Sequence, residues 1–398
     1  MPVIRASAAN RAPATAGDVF DLIRDGVATT RSELRRLTGL SRTAVAARVS
    51  ALSDRGLVVE REEGLSTGGR PPTLLTFNAD AGVVLSAAIG RSRTRLAVCN
   101  LAGDIQAIGD LDQEVGIGPD DLMPDVVKRL EALLEESGHQ PESVHGVGLS
   151  LPGTVDQQRG CSLDSPVMSG WDGVGLDPYF RDLTAAPILV DNDANVIALA
   201  ERHGGRRGVD DLLLLKISTG LGAGIISGGV LQRGAVGAAG EFGHNKTPAA
   251  AGVPCRCGDT GCLEAIAGGW ALVRALQRQG HAVGHVRDVV ELANRGEPEA
   301  RRLIRESGRH VGEVIAGAVN LLNPAVVVID GDMSRAYDIL VAGLRETLYG
   351  NATALSTRVL QVVPATYGDR SGVIGSATLI LSRILSAGAI DAALLVKR

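Results

Sequence analysis

Cys255, Cys257 and Cys262 stand in the pattern Cys-x-Cys-x4-Cys, on a stretch that also carries Gly258 and Gly261. Thiolates this close on a tight glycine-containing loop can converge on one tetrahedral ion, and the spacing suits structural zinc. Three sulfurs leave one position open. Thiols used in this way suit a reducing compartment better than a disulfide framework does. Cys99 and Cys161 stand apart and are expected as plain buried thiols. Met1 to Thr15 has arginines but no apolar core of a signal peptide, and the richest apolar run, Leu212 to Val230, is interrupted by Lys216 and by glycines. A cytoplasmic chain with no membrane partner is expected.

A second concentration of chemistry lies near the start of the chain. The formal net charge of the 398 residues is −5, yet six arginines (31, 35, 36, 42, 48 and 55) face only Glu33 and Asp54 between positions 31 and 55. A basic head on an acidic body is the electrostatic footprint of a nucleic-acid binder. Gly68-Gly69-Arg70-Pro71-Pro72 adds an extended arginine of the kind that enters a narrow A·T-rich minor groove.

The elements around these arginines fit that chemistry. Asp18 to Arg24 reads as a short amphipathic helix, and Thr30-Arg-Ser-Glu33 is a capping box that opens a second helix with Leu34 and Leu37 on its buried face. Gly39 breaks it. Ser41 caps a third helix whose Val45, Val49 and Leu52 must face inward, leaving Arg42, Thr43, Ala46 and Arg48 outward. Helix, short turn, helix is the helix-turn-helix arrangement, whose second helix reads a major groove from its N-terminal part. Leu57 to Arg61 and Pro72 to Phe77 then form a two-stranded wing with Arg70 at its tip. Candidate DNA contacts are therefore Ser41, Arg42, Thr43, Arg48 and Arg70.

From Ala81 onward strands and helices alternate. Strands at 83–89, 95–100 and 105–108, a helix at 121–137 and strands at 144–149 and 187–190 are matched later by strands at 211–217, 223–227, 230–232, 325–329 and 359–363. Two similar halves predict duplicated α/β lobes with a ligand cleft between them. The 51 glycines and only ten aromatic residues suit such a body, with ligand-cradling loops and aliphatic packing.

Five segments of this body, in order, resemble the signature elements of the ROK family of repressors and sugar kinases. They are Leu151-Pro-Gly-Thr-Val-Asp156, Asp191-Asn-Asp-Ala-Asn195, Ser218-Thr-Gly-Leu-Gly-Ala-Gly224, Gly240-Glu-Phe-Gly-His244 and Cys255-Arg-Cys-Gly-Asp-Thr-Gly-Cys-Leu-Glu264. The resemblance implies an α/β chain: an N-terminal winged helix-turn-helix (1–78) and a two-lobed actin-like ATPase body of the duplicated ribonuclease H-like, sugar-kinase kind. The first lobe is expected at 79–204, and the second, with the zinc loop, at 205–398. It further implies His244 as the fourth ligand beside Cys255, Cys257 and Cys262, and Asn192, Asp193, Glu241, His244 and Glu264 as the readers of sugar hydroxyls. Carboxylates suit that task because each accepts several hydrogen bonds.

In a family kinase the residue at Asp193 takes the proton from the attacking hydroxyl. The family's phosphate loop, Asp-x-Gly-Gly-Thr, here reads Ala88-Ile-Gly-Arg-Ser92, which removes an acid that helps hold Mg²⁺ and puts an arginine where a glycine admits phosphate. Where the kinases have a Gly-Gly turn, this chain has Ile329-Asp-Gly-Asp332. No catalytic residue is therefore expected. The expected function is a DNA-binding regulator, a repressor, that binds an operator as a homodimer or dimer of dimers and releases it when a sugar or sugar derivative enters the cleft. The alternatives are an active ATP-dependent sugar kinase and a regulator controlled by a protein partner.

Overall fold

The computed structural model describes residues 14–62, 73–163, 168 and 170–395. Arg70 lies outside them.

The head contains α1 (Ala16–Arg24), α2 (Arg31–Thr38), α3 (Arg42–Asp54) and the antiparallel pair β1 (Val58–Glu62) and β2 (Thr73–Phe77). Both of the first two helices open on reciprocal capping boxes, Thr15 with Asp18 and Thr30 with Glu33, and Ser41 Oγ accepts from the Ala44 amide at 3.2 Å to open α3. Val45, Val49 and Leu52 are fully buried, as their spacing requires. Leu37 departs from expectation: it is 43% exposed, because α2 is only eight residues long and Leu34 alone reaches the shared core.

The first lobe contains β3 (Val83–Ile89), β4 (Arg93–Asn100), β5 (Ile105–Asp112), α4 (Pro119–Glu136), β6 (Val144–Leu151), the small hairpin β7 (Val155–Asp156) and β8 (Cys161–Ser162), β9 (Ile188–Asn192) and α5 (Asp193–Ala200). The second contains β10 (Leu212–Ile217), β11 (Leu221–Ser227), β12 (Val230–Gln232), α6 (Glu264–Ala267), α7 (Gly269–Arg278), α8 (Val286–Asn294), α9 (Pro298–Leu322), β13 (Val326–Asp330), α10 (Tyr337–Asn351), α11 (Ala354–Thr357) and β14 (Gln361–Pro364). The chain ends in α12 (Ser371–Ile384) and α13 (Ala387–Leu395).

The two five-stranded sheets have the same plan. Their orders are β5-β4-β3-β6-β9 and β12-β11-β10-β13-β14, each with three antiparallel strands followed by two added in parallel. This is the duplication expected from the strand spacing. The central strands are buried on both faces, which explains their near-continuous apolar runs. α4 packs with one face of the first sheet, and α7, α8, α9 and α10 enclose one face of the second.

α5 and α12 fill the space between the sheets. α12 lies on β3 and β6 so closely that a Cβ on Gly148 would sit 1.9 Å from the Ser376 carbonyl oxygen, and one on Gly375 would sit 2.2 Å from that of Val196. The expected assignment of all of 205–398 to the second lobe therefore needs correction. Residues 371–395 cross back: α12 packs on the first lobe, and α13 packs on α1 of the head. One apolar cluster joins Val19, Phe20 and Leu52 of the head to Val84 and Cys99 of the first sheet and to Val373, Ala377 and Ile390 of the last two helices. Among the described residues no single helix is long and apolar enough to cross a membrane.

Candidate functional site

A cleft of about 630 Å³ opens between the lobes, and Asn192, Asp193, Glu241, His244 and Glu264 all line it. The five residues come from three places: the junction of β9 and α5, the loop after β12, and the first turn of α6.

Asn192 is the N-cap of α5. Its Oδ1 accepts from the amides of Ala194 (2.8 Å) and Asn195 (3.2 Å), while its Nδ2 donates to the Gly153 carbonyl at 2.8 Å. Most of its hydrogen-bonding capacity thus holds the Leu151 to Asp156 turn against the helix. Asp191, almost wholly buried, is held by Asn195 Nδ2 at 2.9 Å and by Arg233 at 2.7 Å, which braces the loop that leads to Glu241. Asp193 is the first helical residue, and its carboxylate pairs with the ammonium of Lys216 from β10 across the cleft. Burial opposes charge on Lys216, but the carboxylates of Asp193, Asp330 and Asp332 outweigh it and hold the ammonium above its ordinary value. Lys216 was visible in the sequence only as an interruption of an apolar run. A lysine in a strand that reads Leu-Leu-Leu-Leu-Lys-Ile demands a buried anion, and that signal points to a site.

Glu264 is 5% exposed, so it is no surface acid. Its carboxylate accepts from the Leu221 amide (2.9 Å), Arg256 (3.0 Å) and the Trp270 indole (3.1 Å), and the Arg256 guanidinium also lies 4.9 Å from the Trp270 ring centroid. Gly220 is needed here, since a Cβ would come within 2.6 Å of Glu264 Oε2. Glu241 keeps more capacity free: Thr154 Oγ1 donates to it at 3.3 Å, and burial pushes its carboxyl up against the opposing pull of His244 and Thr154.

His244, Cys255, Cys257 and Cys262 converge with all four donor atoms within 4.8 Å of one another. The Cys255 Sγ to His244 Nδ1 distance is 3.9 Å and Cys257 Sγ to Cys262 Sγ is 3.7 Å. Those edges fit a tetrahedron around an ion bound at about 2.3 Å from sulfur. Nδ1 faces the thiols, so Nε2 is left toward Glu241, 3.9 Å from its Oε2. The cluster can hold a metal, and the same histidine can present an N–H to a ligand.

Arg91 lines the cleft at the position where the family pattern has a glycine, and Ala88, also in the lining, offers no carboxylate. Asp332 is engaged by Ser218 Oγ, while Asp330 is buried and its carboxyl is pushed up to about 6 by desolvation. On the head, Arg42 and Thr43 stand exposed at the start of α3 beside the capping Ser41. Arg48 does not project outward as expected. Its Nε donates to the Ala14 carbonyl at 2.7 Å and its Nη1 to that of Ala44 at 3.1 Å, so it fastens the segment before α1 to α3.

Residues 84–383 match the ROK family. The chain belongs to the ROK family. The xylose repressor of Caldicellulosiruptor bescii is 29% identical to it over 382 residues, covering 92% of this chain and 95% of that protein. A solved ROK family transcriptional regulator, a homologue of the Escherichia coli Mlc protein, superposes with a TM-score of 0.80 at 26% identity, over 95% of this chain and 98% of that one. The ROK glucokinase of Streptomyces griseus, solved with glucose and AMPPNP, gives a TM-score of 0.64 at 28% identity over 75% of this chain and 99% of its own. The similarity to these regulators thus takes in nearly the whole chain, whereas that kinase is matched along its full length by three quarters of it.

Proposed function

We propose that this ROK protein is a transcriptional repressor whose cleft binds a sugar or sugar derivative and reports its presence to operator DNA. The observation that carries the proposal is the path of the C-terminal helices. Ser371 and Gly372, at the start of α12, line the cleft; α12 then runs between the sheets, and α13 ends against the head. A ligand that favours a closed arrangement of the lobes shifts this linkage only by its differential affinity for the two states, and a coupling of about 1–3 kcal/mol changes operator affinity some 5–150-fold.

In this proposal Asp193, Glu241 and the His244 Nε2 proton read hydroxyls directly, while Asn192 and Glu264 hold the loops that carry them and offer their remaining hydrogen-bonding capacity. Zinc is the metal that a donor set of one imidazole and three thiolates fits: it takes tetrahedral sulfur and nitrogen ligands and, in a closed site, supplies structure. It would pin the Gly240 to Glu264 loop. Arg42 and Thr43 enter a major groove and Arg70 an adjacent minor groove, from a cytoplasmic homodimer or dimer of dimers on double-stranded DNA.

Retention of Asp193 favours a second reading, an ATP-dependent sugar kinase. Lys216 already neutralises that carboxylate, and the loop from Ala88 to Ser92 lacks the acid for Mg²⁺. A coupled assay with ATP, Mg²⁺ and a panel of sugars separates the two: sugar-dependent turnover makes the kinase correct. For the DNA half, anisotropy of a fluorescent duplex selected by the purified protein from random sequence is followed against salt. Affinity that falls steeply with salt is expected from phosphate contacts, and a salt-independent affinity contradicts it.

A further inference from the structure

The cleft is lined by seven lysine and arginine side chains, and five have an identifiable anionic partner. Arg93 pairs with Asp112, Arg95 with Asp110, Lys216 with Asp193, Arg256 with Glu264 and Arg335 with Asp369. Arg91 and Arg287 are the exceptions. Neither guanidinium makes a hydrogen bond or ion pair among the described residues, and the Nε of Arg91 is shut off from solvent with no acceptor. A half-buried guanidinium with no direct hydrogen-bonded acceptor is costly, and such a charge persists where something else answers it.

The two arginines line the cleft together with His285, the N-cap of α8: Arg91 stands on the turn after β3 and Arg287 in the first turn of α8. The charges of Asp332 and Asp288 reach His285 as well as those of the two arginines. The Arg287 amide donates to His285 Nδ1 at 3.2 Å, so a neutral imidazole carries its proton on Nε2. Two guanidinium groups and an imidazole N–H together match a dianionic tetrahedral oxyanion better than a neutral hydroxyl. Arg91 also lies close enough to Glu264 for that carboxylate to favour its charge, which puts the cationic group next to the sugar readers.

We propose that Arg91, Arg287 and His285 form an anion subsite that binds the phosphate monoester of a phosphorylated sugar seated in the cleft. This rests on the sugar-binding function proposed above. The loop that lost its magnesium acid and gained an arginine then holds a phosphate that arrives already esterified to the effector.

The test is calorimetry on the full-length protein with matched pairs: glucose with its 1- and 6-phosphates, N-acetylglucosamine with its 6-phosphate, and glucuronate as a carboxylate control. The phosphate ester is expected to bind about tenfold or more tightly than its parent sugar, with glucuronate intermediate, and the ratio is expected to collapse in Arg91→Ala and in Arg287→Ala. Inorganic phosphate at about 10 mM gives a readout that needs no knowledge of the sugar: it should raise the melting temperature of the wild type more than that of the double variant. Equal affinity for ester and sugar overturns the subsite and leaves sugar binding standing, whereas silence from both members of every pair removes both. A ratio unchanged in the two variants, preference for glucuronate over every ester, or equal protection by phosphate in wild type and double variant also overturns it.

Discussion

The backbone amide of Gly17 donates to Asp391 Oδ1 at 2.8 Å, joining the first turn of α1 to the last helix of the chain. Arg24 Nη1 bonds the Leu385 carbonyl at 2.9 Å and Arg55 Nη2 that of Ala393 at 2.7 Å, so the C-terminal end of the chain clips the head at three points. A Cβ on Gly17 would lie 2.1 Å from the Ala387 carbonyl oxygen. Gly17→Ala should therefore weaken this docking by about 1–3 kcal/mol, although alanine favours an isolated helix. The expected result is faster proteolysis between the head and the first lobe and an operator affinity that no longer responds to sugar. Protection and response equal to wild type would show that the clip is dispensable.

Arg42 and Arg48 sit on one helix but should behave differently. Arg42→Ala is expected to weaken operator binding and reduce its salt slope by about one unit, as loss of a DNA contact does. Arg48→Ala should leave the slope unchanged and instead lower the stability of the head, by about 1 kcal/mol for its lost bonds to Ala14 and Ala44. Anisotropy across a salt series and thermal unfolding of both variants check the distinction.

Metal removal should act on the cleft through Glu241, because His244 is a metal-ligand candidate three residues away on the same turn. Metal analysis is expected to give one zinc per chain. Chelation, or Cys257→Ser, should lower the melting temperature and reduce sugar affinity about tenfold or more. Retention of full sugar affinity without metal would separate the cluster from recognition.

Asp330 gives a pH signature. Desolvation raises its carboxyl to about 6 in the folded chain, so folding favours the protonated form. Its contribution to stability is complete below the unfolded value near 4 and is lost as pH rises through 6, amounting to at most about 3 kcal/mol. Wild-type stability should therefore fall more steeply between pH 4 and 7 than that of Asp330→Asn, in denaturant titrations at matched ionic strength. Parallel profiles would contradict this assignment.

Most of the architecture was legible because it is written in short-range chemistry. The capping box at Thr30, the inward spacing of Val45, Val49 and Leu52, and the repeated strand pattern each act over a few residues. The Cys-x-Cys-x4-Cys loop is equally local. What could not be read depends on contacts far apart in sequence. Nothing near residue 371 signals that α12 returns to the first sheet, and nothing near Arg48 shows that Ala14 will accept its proton. The pairing of Lys216 with Asp193 spans two lobes, and Glu264, which spacing alone leaves at a surface, is buried by Arg256 and Trp270.

Anisotropy of a selected operator duplex, titrated with the full-length protein at fixed salt with and without a sugar or sugar phosphate that binds it by calorimetry, asks most directly whether the cleft speaks to DNA. Operator affinity should drop at least about fivefold when the cleft is filled, and by linkage the effector should bind the DNA-bound protein more weakly by the same factor. An effector that occupies the cleft and leaves the operator isotherm where it was would contradict the coupling of sugar site and head.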